Sequence, residues 1–374
     1  MIRTWNITGG AALLPGGFAE APLYIADGRI AVGASPGAAT FDARGAWLLP
    51  GIVDLHGDGF EAIVQPRPGV HFPHDLAFRE ADAQLIANGV TTAYHALTVS
   101  WEPGLRDIAI SRALVAALDR AAPNLICDTR LNIRWETFAI DHVDEVLGWL
   151  AARPGDILSL NDHTSANHKL GADSAKLGRM AARMGLPPAE AKAAIAATLN
   201  RSGEVPAAID RICAGAAALG RPILSHDDMT PQDRRAGRAR GVTIAEFPMT
   251  AEAAQAAREA GEHVILGAPN ALRGQSHNGA LCAASAIGAG LCSVLASDYY
   301  YPAPFHAAFR LHDAGILPFE AAWALISANP AAAAGLEDRG ALIPGKRADI
   351  LVVDPATRRI EAVFVNGCKA LERG

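Results

Sequence analysis

The chain has 374 residues, half of them apolar and 19% charged, with a formal net charge of −6 and 6% aromatic residues. That balance suits a soluble globular enzyme of one large domain, or a large and a small one, and supplies no basic surface for nucleic acid. Five scattered cysteines without a C-x-x-C pair exclude a disulfide framework and a zinc ribbon, and no apolar run is long enough to span a bilayer. The first residues lack the apolar core of a signal peptide, so the expected location is the cytoplasm.

Residues 1–50 read as short strands with glycine turns, such as Leu23-Tyr24-Ile25, Asp27-Gly28 and Arg29 to Val32. Residues 348–366 read the same way and end in Asn366-Gly367. Two separate hairpins would be marginal, so both ends are expected to form one small β-sandwich domain, 1–50 with 341–374.

Residues 51–340 alternate short apolar runs with Ala-rich helical runs. Strands are predicted at about 51–56, 89–98, 129–136, 157–162, 222–226, 242–247, 263–268 and 292–297. Helices are predicted near 75–88, 104–121, 142–152, 174–198, 205–219, 251–260, 278–290 and 319–328, with Gly185-Leu186-Pro187-Pro188 as a break. Eight strands each followed by a helix predict a (β/α)8 TIM barrel, an α/β fold. A doubly wound sheet is the alternative, but no G-x-G-x-x-G follows an early strand.

Chemistry in such a barrel sits at the C-terminal strand ends. The first strand ends in His56-Gly57-Asp58, where residues i and i+2 project to one side and could hold a divalent metal. The third carries Asn132, Arg134 and Glu136, the fourth ends in Asn161-Asp162-His163, and the fifth in Ser225-His226-Asp227-Asp228. Strand six contains Glu246, strand seven ends in Gly267-Ala268-Pro269-Asn270, and strand eight in Ser297-Asp298. One strand-end histidine is usually structural. The joint occurrence of His56, Asp58, Glu136, His163, His226 and Asp298 points instead to a ligand set for two divalent ions. Zinc is the expected metal, with manganese, iron or nickel as alternatives. The remaining histidines lie outside the pattern, except His95, which sits on a strand.

These residues resemble the amidohydrolase superfamily. Leu49-Pro50-Gly51-Ile52-Val53-Asp54-Leu55-His56 is similar to its first-strand motif, and Asn329-Pro330-Ala331 with the run from Gly345 to Asp354 is similar to its return to the small β-domain. The phosphonate-metabolism diphosphatases are the branch resembled most. That likeness rests on His56-x-Asp58 with Glu61, Pro66-Arg67-Pro68, Asp162-His163-Thr164, Ala245-Glu246-Phe247-Pro248, Arg273-Gly274-x-Ser276-His277 and Ser297-Asp298-Tyr299. The chain departs from the branch at Gly57, Gly59, Asn132 and Ser165-Ala166-Asn167.

The resemblance implies that His56, Asp58 and Asp298 hold one ion, His163 and His226 hold the second, and Glu136 bridges them. Asp298 would accept the proton of the attacking water, with His277 as a proton donor. Arg67, Arg134, Arg273 and Ser276 become candidates for substrate phosphate. The expected substrate is a phosphorylated ribose phosphonate or related small molecule, with no nucleic-acid or membrane partner and self-association left open. Hydrolysis of a C–N bond on the same site is the alternative chemistry, and an inactive interaction protein on the same fold is the non-enzymatic one.

Overall fold

The computed structural model describes residues 4–67, 69–168, 171, 174–274 and 281–373. Its centre is one eight-stranded parallel sheet in chain order: β1 Ile52–Gly57, β2 Val90–Val99, β3 Asp128–Glu136, β4 Ile157–Asn161, β5 Ile223–His226, β6 Ile244–Glu246, β7 His263–Gly267 and β8 Val294–Ala296. The ring closes where the chain after β8 meets β1. There Gly57 bridges Asp298, the Asp298 N–H donates to the His56 carbonyl at 2.8 Å, and the Asp58 N–H donates to the Asp298 carbonyl at 2.9 Å. The fold is the (β/α)8 barrel, and each predicted strand lies on an observed one.

One buried cluster takes Val53 and Leu55 from β1, Tyr94 from β2, Ile157 from β4, Leu224 from β5, Ile244 from β6, Ile265 from β7, and Val294 and Ala296 from β8. Side chains from seven strands of a closed ring can meet only inside it, so the barrel is a packed core with its polar residues left at one end. Outside, apolar helix faces cover the strands. Leu114, Val115 and Leu118 of the helix Ile108–Ala121 pack in one cluster with Leu97, Ile133 and Trp135.

The stretch 174–198 breaks where Gly185-Leu186-Pro187-Pro188 predicts, into the helices Ala175–Met184 and Pro188–Leu199. Gly185 between them has φ +68°, and the Leu186 N–H turns back to the Ala181 carbonyl at 3.0 Å, a termination that glycine permits without a Cβ clash. Several helices were not anticipated, among them Pro231–Ala239 and Ala303–Asp313. The first buries only Arg234, so it lacks an apolar stripe, and it starts on a capping box in which Thr230 and Asp233 bond each other's backbone N–H. The second carries prolines at its start, at Pro302 and Pro304, and reads as a loop until Phe305, Phe309 and Leu311 are seen buried.

Both ends of the chain build sheets beside the barrel. Trp5–Thr8, Leu23–Ala26, Arg29–Ala31 and Ala39–Asp42 form a four-stranded sheet. Ala11–Leu14, Gly17–Ala19 and Trp47–Pro50 join Ile350–Val353, Ile360–Val365 and Cys368–Glu372 in a six-stranded one. The hairpin turns Asp27-Gly28 and Asn366-Gly367 have positive φ at both residues, as a two-residue turn between right-twisted strands requires. Ile7, Ile25 and Ile30 of the first sheet share a core with Leu48, Ile350 and Phe364 of the second. Among the described residues no helix is long and apolar enough to cross a membrane.

Candidate active site

The polar residues at the strand ends converge because the backbone turns sharply there. Asp227, Phe247 and Asp298, each just past a strand, have φ of 61°, 52° and 55°. Each still extends the ladder by one bond: Asp227 N–H to the Glu246 carbonyl (3.0 Å), Phe247 N–H to the Ile265 carbonyl (2.9 Å) and Asp298 N–H to His56. Left-handed backbone at a non-glycine residue costs on the order of 1 kcal/mol or more, so three such turns are held by their surroundings.

Glu246 is the hub. It is fully buried, and its carboxylate receives His56 Nδ1 at 2.7 Å and Asn132 Nδ2 at 2.8 Å on one oxygen. The other oxygen receives His226 Nδ1 at 2.9 Å and Ser159 Oγ at 2.5 Å. Burial pushes this carboxyl up, but His56 and His226 hold it well below the usual range, so it is ionised. An ionised carboxylate only accepts, so both Nδ1 atoms must carry the hydrogen. In the neutral ring the lone pair then lies on Nε2. Glu136 treats His163 the same way: its oxygens take His163 Nδ1 at 2.6 Å and the His163 N–H at 3.2 Å, and His163 holds its pKa down against burial. Three imidazoles are thus fixed with Nε2 as the available donor, the arrangement found behind metal-binding histidines.

His56 and His226 are shifted in opposite directions. Burial lowers His56, yet Glu246 outweighs it and the net shift is upward. His226 is shifted down, by burial and by Arg134, whose Nη2 lies 3.3 Å from its Nε2. Asp298 is raised to about 6, first by burial and then by the like charge of Asp58. Asp54 adds a tie across the barrel seam, accepting from Ser297 N–H at 2.9 Å and Ser297 Oγ at 2.5 Å.

Three groups could each hold an ion: His56, Asp58 and Asp298; His163, His226 and Asp227; and His56, His226 and Glu246. They surround a cavity of about 270 Å³, whose wall also contains Arg106, Arg134, Phe247, Met249 and Leu281. Of the residues expected from sequence, His56, Asp58, Arg134, His163, His226 and Asp298 meet there. Glu136 stands apart from these groups: both its oxygens are engaged by His163, and the carboxylate lying between two histidines is Glu246.

Arg67 and Arg273 are exposed and absent from the cavity wall. The residues after β7 form the helix Ala268–Arg273, which at about 1.5 Å per residue carries Arg273 outward. Ser276 and His277 lie outside the described residues. The departures at Gly57, Gly59 and Asn132 have packing partners. A Cβ on Gly57 would sit 3.3 Å from the Tyr301 ring and 2.9 Å from Asp54 Oδ2, and one on Gly59 also 3.3 Å from Tyr301. Asn132 is turned to Glu246 and to the Leu55 carbonyl at 3.1 Å.

Sequence reading missed the roles of Glu246, Asp227, Asp54 and Arg106. The available signals were a charge inside an apolar strand for Asp54 and Glu246, and the doublet after His226 for Asp227. Arg106 sits on the loop between β2 and the next helix and carries no local signal.

No family model matches the chain. It is 31% identical over 325 residues to the alpha-D-ribose 1-methylphosphonate 5-triphosphate diphosphatase of Escherichia coli (strain K12), covering 83% of this chain and 84% of that one. Solved structures share the fold across nearly the whole chain. An amidohydrolase from an environmental sample of the Sargasso Sea matches with a TM-score of 0.65 at 14% identity, covering 99% of this chain and 93% of that one. The D-hydantoinase of Bacillus sp. AR9 matches with a TM-score of 0.65 at 13% identity, covering 98% and 95%. The chain belongs to the amidohydrolase superfamily, as a relative of that bacterial diphosphatase, and is a hydrolase.

Proposed function

We propose that the chain is a diphosphatase, hydrolysing a phosphoanhydride in a phosphorylated ribose phosphonate or a related small molecule with the aid of two divalent ions. The observation that carries this reading is Arg134. It is 4% exposed, lines the cavity, and meets Asn161 Oδ1 through Nε (3.3 Å) and Nη2 (3.2 Å) and His226 Nε2 through Nη2 (3.3 Å). Among the described residues no carboxylate lies within ion-pair distance of it. A buried guanidinium bonded to no carboxylate keeps its charge-assisted donors for an anionic substrate.

The donor set fits divalent metal. Three histidines are held through Nδ1 by carboxylates, which leaves Nε2 as the ligand atom, and Asp58, Asp227 and Asp298 stand beside them. His56, Asp58 and Asp298 would hold one ion, His163, His226 and Asp227 the other, with zinc the metal that imidazole and carboxylate ligands suit first. Bound there, the ions would supply Lewis acidity and a more acidic water.

The chain's own residues do the rest. Asp298, with its raised pKa, takes the proton of the attacking water and returns it to the departing oxygen. One P–O bond forms to the water oxygen and the anhydride P–O bond breaks. Glu246 and Glu136 hold the imidazoles in the required tautomer, and Arg134 balances phosphate charge. Here Glu136 positions His163, in place of the bridging role expected of it.

The test is product analysis on zinc- and manganese-loaded protein. A ribose 5-triphosphate bearing a 1-methylphosphonate should release diphosphate without orthophosphate, and chelation should abolish the release. Ammonia or carboxylate release from a panel of cyclic amides, with no diphosphate from the triphosphate, would move the assignment to C–N hydrolysis.

A further inference from the structure

The cavity has two unlike walls. Phe247, Pro248, Met249, Leu281 and Tyr299, from the segments after β6, β7 and β8, are apolar or aromatic; Arg106 and Arg134 come from the loop after β2 and from β3. Arg106 is placed by a tight loop. The Ser100 N–H donates to the Arg106 carbonyl at 3.1 Å. Gly104, at φ +89°, runs so close to the Arg183 carbonyl that a Cβ there would meet its oxygen at 2.4 Å.

Two glutamates bond arginines here, and their use is uneven. Glu102 is taken by Arg183, through Nη2 at 2.6 Å and Nε at 3.1 Å. Glu61 meets Arg106 through one bond, Nη2 to Oε2 at 3.1 Å. Arg106 Nε is buried with no acceptor, and its Nη1 donates to no described group. Arg106 therefore has donors unspent, and Arg134 bonds no carboxylate directly among the described residues.

We infer that Arg106 is a substrate-binding residue, which together with Arg134 receives the diphosphate that leaves, while the organic part of the substrate lies against the Phe247–Met249 wall. The inference rests on the diphosphatase reading and adds an orientation to it. Planar guanidinium groups present paired donors that match phosphate oxygens, and the unspent donors of this wall stand ready where negative charge accumulates as the anhydride opens.

Inorganic diphosphate is the probe, titrated calorimetrically into the metal-loaded enzyme and assayed as a product inhibitor. Arg106→Gln should bind it about ten- to a hundredfold more weakly, the span of a hydrogen bond to a charged group, at unchanged metal content. Glu61 would be left unpaired in that variant, so Glu61→Gln/Arg106→Gln is the companion. The double variant should recover any lost thermal stability without recovering diphosphate affinity. Arg106→Lys should fall between wild type and Arg106→Gln, because it keeps charge and loses the fork. Wild-type affinity in Arg106→Gln, or affinity restored in the double variant, overturns this inference and leaves the diphosphatase reading standing. A wild-type enzyme that neither binds nor releases diphosphate overturns both.

Discussion

Glu246→Gln is a nearly isosteric change whose consequence can be worked out atom by atom. The amide keeps one acceptor and gains an NH2 where four donors now converge, two on each oxygen. The amide nitrogen will take the Oε2 side, because Ser159 there can rotate its hydroxyl to accept, whereas Asn132 on the other side presents a fixed NH2. His226 then faces a donor through Nδ1 and can answer only by moving its hydrogen to Nε2. That hydrogen points toward Arg134 Nη2, itself a donor 3.3 Å away, and the Nε2 lone pair is lost.

The loss of one orienting partner costs about 10–100-fold in metal affinity, and His56 should be spared. Competition against a chelator of known affinity measures the loss, and nitrogen chemical shifts of the histidines report which ring changed tautomer. Because the effect runs through His226, Glu246→Gln added to His226→Ala should cost less than about 0.5 kcal/mol more. Wild-type metal affinity in Glu246→Gln, or fully additive losses in the double variant, would falsify the chain of reasoning.

Three further outcomes follow from other parts of the molecule. Asp298→Asn keeps the backbone bonds to His56 and Asp58 but cannot accept a proton, so kcat should fall at least ~10² with metal content nearly intact; equal kcat would remove Asp298 from proton transfer. His95 is buried against Phe60 and Phe78, and burial lowers its pKa to about 4 from 6.5. Below pH 6.5 the unfolded chain takes up a proton that the folded chain refuses, so His95 lowers stability as the pH falls from 6.5 toward 4, by about 2 kcal/mol at pH 5. Denaturation of His95→Phe at pH 7 and pH 5 should show a drop smaller by that amount than wild type, and an identical drop would show that His95 does not titrate across folding. Gly57→Ala forces a Cβ between Asp54, Ser297 and the Tyr301 ring, so urea denaturation should report a loss of about 1–3 kcal/mol; an unchanged midpoint and slope would mean that the seam relaxes freely.

The barrel could be read from the chain because each strand is a short apolar run stopped by a polar residue, and a parallel strand buried on both faces leaves that trace. Helices were legible where a stripe faces the strands, as at Leu114 and Leu118. They were illegible where burial is minimal, as in Pro231–Ala239, whose capping box was the one local sign. The ligand-type residues could be named from their positions, but their division into groups facing the cavity and groups behind them could not. Glu136 and Glu246 both end apolar strands, and only hydrogen-bond geometry shows that each stands on the Nδ1 side of a histidine. Arg106 was invisible for a different reason: its place depends on a loop that folds back through Ser100 and Gly104.

The closure of the barrel between His56 and Asp298 has a consequence for biogenesis. One candidate ion group spans this seam, joining residues from the first and last strands, and the seam exists only once β8 has been added. On the ribosome, a chain that has emerged only through β7 has His56 and Asp58 at an open edge without their partner. The strand Trp47–Pro50 waits even longer, for Ile350–Val353 near the other end. Synthesis therefore withholds that three-residue group until almost the whole polypeptide is present, which delays its loading and protects a half-made barrel from trapping a stray cation there.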